Sequence, residues 1–334
     1  MTLDLAKVRA DVSIRGMDIG LFKGVWPLDG WDYRRPVTIT EQSGNDLTDY
    51  QVLVELNNTN FNFAHAQTNG EDIRFTDKEG DLRDYWIEEW DAVNETAKIW
   101  VKVPSIPANG TTELYMYYGN PSASSASDGD ATFEFFDDFE DYTEKWQEGG
   151  DSPTVSSETV DGRSVVKITN GGINCGGIET KQSINVENRV IERLIKGWMD
   201  ALVGDVDENL GIDTAWKNDW YCTDNLMHGL FDIEGEAESH GLKIGGNGDI
   251  SLGSQQLSTT EWKRVTTIIE TGKITGICGG EEISATGTPT TYEGKLMISV
   301  DNNQDNAGVY YDWVFVRKYT SPEPTVEVGE EETA

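Results

Sequence analysis

The sequence predicts an all-β protein, in which a small β-sandwich is followed by a larger jelly roll and an N-terminal arm precedes both. From position 31 onward, apolar and polar residues alternate in short runs, as they do in half-buried strands. Turn clusters rich in Gly, Pro, Asn and Asp separate these runs. The stretch GNPSASSASDGD at 119–130 has no periodicity and divides the chain into two parts.

Residues 1–30 are predicted to be an assembly arm. Their apolar residues are scattered among charged ones, too few to close a core but enough to line an interface. Ordering costs about 1–2 kcal/mol per residue, so we expect this segment to be ordered only against a partner chain. Asp4, Asp11 and Asp18 interrupt its apolar stretches, and neither a signal peptide nor a membrane span is expected there.

Residues 31–120 are predicted to form the first domain, and residues 121–131 the linker that follows it. The predicted strands lie at 36–40, 50–56, 97–103 and 112–118. The clusters KEGD at 78–81 and PANG at 107–110 mark turns between strands. Regular short strands with such turns are typical of a β-sandwich.

Residues 132–320 are predicted to form the jelly roll, and residues 321–334 an acidic tail that should fray. Strand-like runs lie at 164–169, 189–197, 228–238, 242–252, 262–270, 296–300 and 309–319, a number that suits two packed sheets. The segment 189–200 could also be a short helix, but its β-branched residues and its lack of helix caps favour a strand.

The chain is strongly acidic, with 60 Asp and Glu against 26 Lys and Arg and a net charge of −34. Such a field repels phosphate backbones and anionic lipid heads, so we expect neither nucleic acid nor an inserted membrane segment as a partner. The acidity is spread along the chain, which indicates a protein adapted to concentrated salt. The three cysteines all lie in the second half and cannot all pair within one chain, so no disulfide framework is expected.

Six segments, taken in order, resemble the domain-of-unknown-function family 2341. They are WDYRRPVTIT, LTDYQVLVELN, EDIRFTD, YWIEEWD, AKIWVKVPSIPANGTTELYMYYGNPSA and FFDDFE, and they cover about 31–140. Domains of this family often precede concanavalin-A-like or laminin-G-like jelly rolls in archaeal and bacterial surface proteins. The ending YYDWVFVRKYTSPEPTVEVG at 310–329 is similar to the end of such a jelly roll. The family has no established activity. The resemblance therefore implies a location at a cell or particle surface and does not imply a particular reaction.

The plan of arm, small sandwich and jelly roll resembles attachment, turret or fibre proteins of viruses that infect archaea. The leading hypothesis is therefore a non-enzymatic virion surface protein of a haloarchaeal virus. In it, residues 1–30 dock to other virion proteins, the chain forms a symmetric homo-oligomer, and the jelly roll contacts a host surface glycan. One alternative is an extracellular or cell-surface glycan-binding adhesin, and a second is a glycan-cleaving jelly-roll hydrolase.

The predicted glycan contacts are Trp216, Asn218, Trp220 and Tyr221. They lie in the segment WKNDWY, which is expected to be a loop. Aromatic rings pack on the apolar faces of sugars, while amides bond sugar hydroxyls. The alternative is that these rings belong to the sandwich core or to a subunit contact.

A structural calcium ion is the one cofactor that the sequence leads us to consider. In jelly-roll carbohydrate modules such an ion often joins the first strand to the last, and this resemblance maps onto Asp138, Glu140 and Asp312. Calcium takes six to eight oxygen ligands. The alternative is that FFDDFE is the first strand, with Phe135 and Phe139 pointing inward and its acidic side chains in solvent.

The alternating carboxylates Asp232, Glu234 and Glu236 are the most enzyme-like feature. They resemble the Glu-x-Asp-x-Glu strand of jelly-roll glycosidases, which places two carboxyl groups on one face. Here the residue types are swapped and Gly235 interrupts the pattern, so we expect no enzymatic activity. The chain also has no cysteine pair with zinc-ligand spacing and no phosphate-binding glycine loop.

Three Asn-x-Thr sequons, at Asn57, Asn94 and Asn109, all fall in the first domain. A sequon is an acceptor for N-linked glycan only in an exported chain. Whether these three asparagines can carry glycan therefore depends on whether the protein is exported.

Stability is expected to rise with salt, because a net charge of −34 repels itself until ions screen it. The Debye length falls from about 10 Å at 0.1 M salt to about 3 Å at 1 M. Melting should be followed in potassium chloride rather than in sulfate, since sulfate strengthens apolar burial in any protein. A melting temperature that is the same at low and at molar salt would contradict the prediction of a salt-adapted chain.

Overall fold

The computed structural model describes residues 26–170, 175–199, 207–213, 226–230, 240–244, 250–253, 255, 258, 260–301 and 307–334. These residues are almost entirely strands and turns, and the predicted fold class, a small β-sandwich followed by a larger jelly roll, is confirmed. A 3-10 turn at Phe63–His65 and a short helix α1, Gly129–Thr132, also occur. No helix in this described part is long and apolar enough to cross a membrane.

The first domain is a sandwich of two antiparallel sheets. Its strands are β1 (Tyr33–Thr40), β2 (Leu47–Asn57), β3 (Arg74–Thr76), β4 (Leu82–Arg83), β5 (Tyr85–Asp91), β6 (Thr96–Ile106) and β7 (Thr111–Tyr118). Sheet B has the strand order β2-β6-β5, and sheet A contains β1, β7, β3 and β4. Alternation fixes the faces: in β6, Ile99 and Val101 enter the core between the two sheets, whereas Trp100 projects from the outer face of sheet B.

The second domain is a jelly roll whose two sheets are larger. Its strands are β8 (Phe135–Asp137), β9 (Trp146–Gly150), β10 (Pro153–Val160), β11 (Arg163–Asn170), β12 (Gly176–Thr180), β13 (Ile184–Asn185), β14 (Arg189–Met199), β15 (Asp207–Asp213), β16 (Leu226–Leu230), β17 (His240–Ile244), β18 (Ile250–Gly253), β19 (Lys263–Glu270), β20 (Lys273–Cys278), β21 (Glu281–Thr286), β22 (Glu293–Asp301) and β23 (Ala307–Lys318). Sheet C runs β10-β11-β23-β14-β19-β20-β21, with β8 beside β23. Sheet D runs β18-β17-β16-β15-β22-β12-β9, with β13 beside β22. The ambiguous segment at 189–200 is thus a strand, as predicted.

The core of the jelly roll contains one ion pair among its aliphatic side chains. Arg193 of sheet C and Glu208 of sheet D are both fully buried, and two N–H groups of Arg193 donate to the two Glu208 oxygens at 2.7 Å. Tyr311 also donates to Glu208, at 3.3 Å. Removing one partner would leave a buried unpaired charge and would be strongly destabilising.

The outer faces of sheets B and C pack against each other and join the two domains. The contact is a cluster of aromatic side chains, namely Trp100, Phe133, Phe136, Trp313 and Phe315, with Trp86, Leu53 and Leu194 packed against it. Many of the rings meet edge to face at 4.9–5.9 Å, and Phe133 stacks on Phe315 at 4.1 Å. The four sheets therefore form one stack in the order A, B, C, D.

Ion pairs surround this aromatic contact. Arg264 of β19 binds Glu88 of the first domain and Glu192 of β14. Arg317 of β23 binds Glu192 at 3.2 Å and Glu323 at 2.9 Å. Burial raises the pKa of Glu88, and Arg264 opposes that shift. The contact thus pairs its buried acids with arginines, as burial requires.

The predicted acidic tail is wrong, because the end of the chain returns to the first domain. β24 (Thr325–Val328) and β25 (Glu332–Thr333) both pair with β1 and form an edge of sheet A. Val326 and Val328 pack against the core of the first domain, while Glu331 accepts a hydrogen bond from Tyr118 at 2.7 Å. The segment TVEV alternates with period two, and this short signal outweighs the surrounding acidity.

One further expectation needs correction, and the cysteines need a closer description. The predicted linker at 121–131 is held against β5, since Asp128 N donates to Tyr85 O at 2.8 Å and Ile87 N donates to the Ser127 hydroxyl at 2.8 Å. Cys175 is disulfide-bonded, whereas the buried Cys278 is a free thiol. A disulfide bond is thus present at Cys175, although the three cysteines do not all pair and form no disulfide framework.

Replacing Val326 and Val328 together by serine is expected to lower the free energy of unfolding by about 2 kcal/mol, because two partly buried apolar side chains are lost. Glu327→Ser is the matched control, since Glu327 lies between them and is exposed. It should change the free energy by less than about 0.5 kcal/mol. Urea unfolding measures both. Equal stability of the double variant and the control would mean that the end of the chain is a tail after all.

Candidate functional site

The outer face of sheet D lies at the end of the stack farthest from sheet A. Along β15, Leu210 and Ile212 enter the jelly-roll core, so Asn209 projects from the opposite face. Along β22, Ile298 and Val300 enter the core, and Ser299 likewise projects outward. Asn209 and Ser299 are directly opposite each other in the strand pairing.

A row of small residues crosses this face from strand to strand. Successive partners in the register are Gly149, Gly177, Ser299, Asn209, Gly229 and Gly241, which we call the glycine row. Glycine within a strand often marks a place where a ligand or another backbone approaches closely. At Gly177 a Cβ would lie 2.2 Å from the carbonyl oxygen of Ile298, so there the neighbouring strand itself requires glycine.

Asn209 is the unusual member of the glycine row. Its side chain is 1% exposed, and among the described residues neither its Nδ2 nor its Oδ1 has a hydrogen-bond partner. Most buried polar groups in folded proteins are hydrogen-bonded, and an unsatisfied one costs about 1–3 kcal/mol. A buried donor and a buried acceptor thus lie side by side at the centre of the row.

The neighbouring row on the same face contributes a neutralised charge pair. Glu179 accepts from Gln147 Nε2 at 2.7 Å and binds Lys295. Met297 lies opposite Glu179 in the register and is fully buried. The Glu179 carboxylate is therefore already paired, and the Met297 side chain is already packed.

Most of the predicted site residues lie outside the described part of the chain. Trp216, Asn218, Trp220 and Tyr221 lie outside the described residues, in the segment that joins β15 to β16. Asp232, Glu234 and Glu236 also lie outside them, in the segment that joins β16 to β17. Both segments connect strands that carry the glycine row. The sequence analysis missed Asn209 and the row itself, although isolated glycines within strand patterns were a usable signal.

The three predicted calcium ligands do not form a cage. Asp312 is bound by Arg163, Asp138 accepts from Glu140 N at 3.4 Å, and Glu140 is exposed. Within the described part of the chain, no group of three or more His, Cys, Asp or Glu side chains is arranged to hold a metal ion. These residues do not fit calcium, and the geometry gives the predicted ion no support.

A concave surface lies at the edge of the jelly roll, with a volume of about 700 Å³. Phe135 and Ile184 contribute partly buried apolar side chains to it, and Gln182 is among its exposed polar residues. Arg189, which also lines it, is paired with Glu134. We call this surface the edge groove and use it as the comparison site for the glycine row.

Comparison with known proteins gives one family match and several weak structural likenesses. The family described as a domain of unknown function, DUF2341, matches residues 69–149. The resemblance to this family is thus confirmed over a range that begins later and ends later than 31–140. No curated protein matches the chain in sequence.

Three solved structures illustrate the likenesses. The Bacillus licheniformis β-glucanase is 16% identical, with 55% of this chain and 97% of that chain covered and a TM-score of 0.41. The metal-free carbohydrate recognition domain of Emp46p is 10% identical, with 56% and 94% covered and a TM-score of 0.39. The legume lectin-like domain from Entamoeba histolytica is 13% identical, with 53% and 92% covered and a TM-score of 0.39.

Asp137, beside the predicted calcium ligands, should make stability depend on pH. Burial raises the pKa of its carboxyl to about 6, although the backbone N–H of Phe139 and the indole N–H of Trp146 donate to it. An acid with a raised folded pKa binds its proton more tightly when folded. Its contribution is therefore present below the unfolded pKa, about 4, and is lost as the pH rises through about 6.

Asp137→Asn removes this titration, so the stability of the wild type relative to the variant should fall by on the order of 2 kcal/mol between about pH 4 and pH 7. Glu140→Gln removes a charge at an exposed position nearby and should follow the wild-type curve. Urea unfolding across this range measures all three proteins. Parallel curves for Asp137→Asn and the wild type would contradict a raised pKa.

Proposed function

We propose that this chain is a non-enzymatic surface protein whose jelly roll binds a glycan along the glycine row. The observation that carries the proposal is the buried carboxamide of Asn209 in that row, which has no hydrogen-bond partner among the described residues. An amide donates through Nδ2 and accepts through Oδ1, so neighbouring sugar hydroxyls could satisfy both atoms. The glycines of the row would allow a sugar ring to approach the backbone closely.

The order of the sheets supports a surface role. Trp26, the first described residue, packs edge to face on Tyr117 at 5.7 Å, on the outer face of sheet A. The described chain therefore begins at the sheet A end of the stack, and the glycine row lies at the sheet D end. A protein held at the sheet A end would present the row outward. This arrangement fits the hypothesis that residues 1–30 dock to a larger assembly.

Disulfide bonding of Cys175 supports a location outside the reducing cytosol. We propose the virion surface of a haloarchaeal virus, as a turret, spike or fibre, and keep the cell-surface or secreted adhesin as the alternative. The virion and its salt-loving host rest on the sequence analogy and stay predictions. Capsid, portal and tail genes beside this one would favour the virion, whereas an encoded signal peptide upstream of Met1 would favour the adhesin.

The test compares two variants with the wild type, first on an array of neutral and acidic oligosaccharides and then by calorimetry in molar potassium chloride. Asn209→Leu is expected to weaken binding at least about tenfold and to raise the free energy of unfolding by about 1 kcal/mol, because it removes an unsatisfied buried amide. Gln182→Leu makes the matched change in the edge groove and should leave binding unchanged.

Other outcomes would contradict the proposal in distinguishable ways. Loss of binding in Gln182→Leu alone would move the site to the edge groove. Loss of both stability and binding in Asn209→Leu would make the carboxamide a structural group. An array without any bound glycan would remove the function, and release of new reducing ends would favour the hydrolase alternative.

A further inference from the structure

The first domain displays its three sequons on turns, with every acceptor and every hydroxyl residue exposed. Asn57 is the last residue of β2 and Thr59 follows it, whereas Asn94 and Asn109 lie in the turns before β6 and β7, whose first residues are Thr96 and Thr111. The glycan-binding proposal does not use any of them. Exposure on a turn is the first requirement for modification of the side-chain amide.

Asn57 has the most favourable local geometry. The backbone N–H and the hydroxyl of Thr59 both donate to Asn57 Oδ1, at 2.8 and 2.5 Å. The amide oxygen is therefore held by the hydroxyl of its own sequon. The Nδ2 of Asn57 makes no hydrogen bond to the described residues and stands in solvent, so the atom that would be modified is free.

The other two sequons differ from Asn57 in how their side chains are held. Asn94 Nδ2 donates to the carboxylate of Asp91 at 2.6 Å, and Asn94 N donates to the same carboxylate at 2.9 Å. Modification of Asn94 must break the first of these bonds. Asn109 has a left-handed backbone with φ of 52°, and its N–H donates to Glu41 at 2.9 Å, but its Nδ2 makes no bond to the described residues.

All three positions lie away from the glycine row. Asn57 pairs with Thr96 in the register, so the sequons of Asn57 and Asn94 share one end of sheet B, while Asn109 follows the other end of β6. Sheet C separates sheet B from sheet D in the stack. Glycans attached here would cover the sides of the first domain and leave the outer face of sheet D open.

We propose that the protein carries N-linked glycans on its first domain, with Asn57 and Asn109 occupied ahead of Asn94. In this reaction Asn Nδ2 forms a bond to the anomeric carbon of a glycan carried on a polyprenyl phosphate. The bond from that carbon to the phosphate oxygen breaks, the lipid phosphate leaves, and the amide nitrogen loses one proton. Disulfide bonding of Cys175 supports export, which such a lipid-linked donor requires.

Peptide mass mapping of the protein isolated from the cells or particles that naturally produce it tests this proposal. The peptides that contain Asn57 and Asn109 should carry added glycan mass that chemical deglycosylation removes, and the Asn94 peptide should show lower occupancy. In the same cells, Asn57→Gln should lose one glycan. Asn58→Gln is the matched control, because it changes the adjacent residue but keeps the sequon intact.

Unmodified mass at all three peptides would overturn the proposal, as would an Asn57→Gln variant that keeps the full glycan mass. Equal or higher occupancy at Asn94 would overturn the order of sites, since the bond to Asp91 would then present no obstacle. Asp91→Ala sharpens this part of the test, because it frees Asn94 Nδ2 and is expected to raise occupancy at Asn94 alone. None of these outcomes depends on whether the glycine row binds a ligand.

Discussion

Sheet C packs against apolar side chains on both of its faces. Strand β23 contributes side chains to both of these contacts. Val309, Val314 and Val316 face the jelly-roll core, while Trp313 and Phe315 face the first domain. A strand buried on both sides needs a partner layer on each. The two domains therefore form one stack, and the outer faces of sheets A and D become its two ends.

The contact between sheets B and C also pairs several of the acidic side chains with arginines. Arg264 and Arg317 lie at the edge of the aromatic cluster, where Glu88, Glu192 and Glu323 would otherwise be buried without partners. Burying an unpaired carboxylate is far more costly than leaving it in water. Arg264 and Arg317 thus lie at the contact between the domains, where they pair with carboxylates that would otherwise be buried without a partner.

Local patterns predicted the strands, the order of the domains and the strand at Arg189–Met199, because alternation records directly which face is buried. They could not predict that β24 pairs with β1, since that pairing joins residues almost three hundred positions apart. Isolated glycines could be seen within the strand patterns, but their alignment into one row could not, because its members come from six different strands and meet only through register. Asn209 gave no signal of its own, since a single polar residue in a strand ordinarily faces water.

The return of β24 to sheet A has a mechanical consequence. The chain crosses between the domains twice, at 119–134 and again at 319–324. A load applied between the two ends of the stack is therefore shared by two covalent connections in parallel, and twisting one domain against the other is resisted at both. Pulling along the stack would first separate side chains at the aromatic contact rather than shear backbone hydrogen bonds. The two domains therefore form a doubly tethered unit.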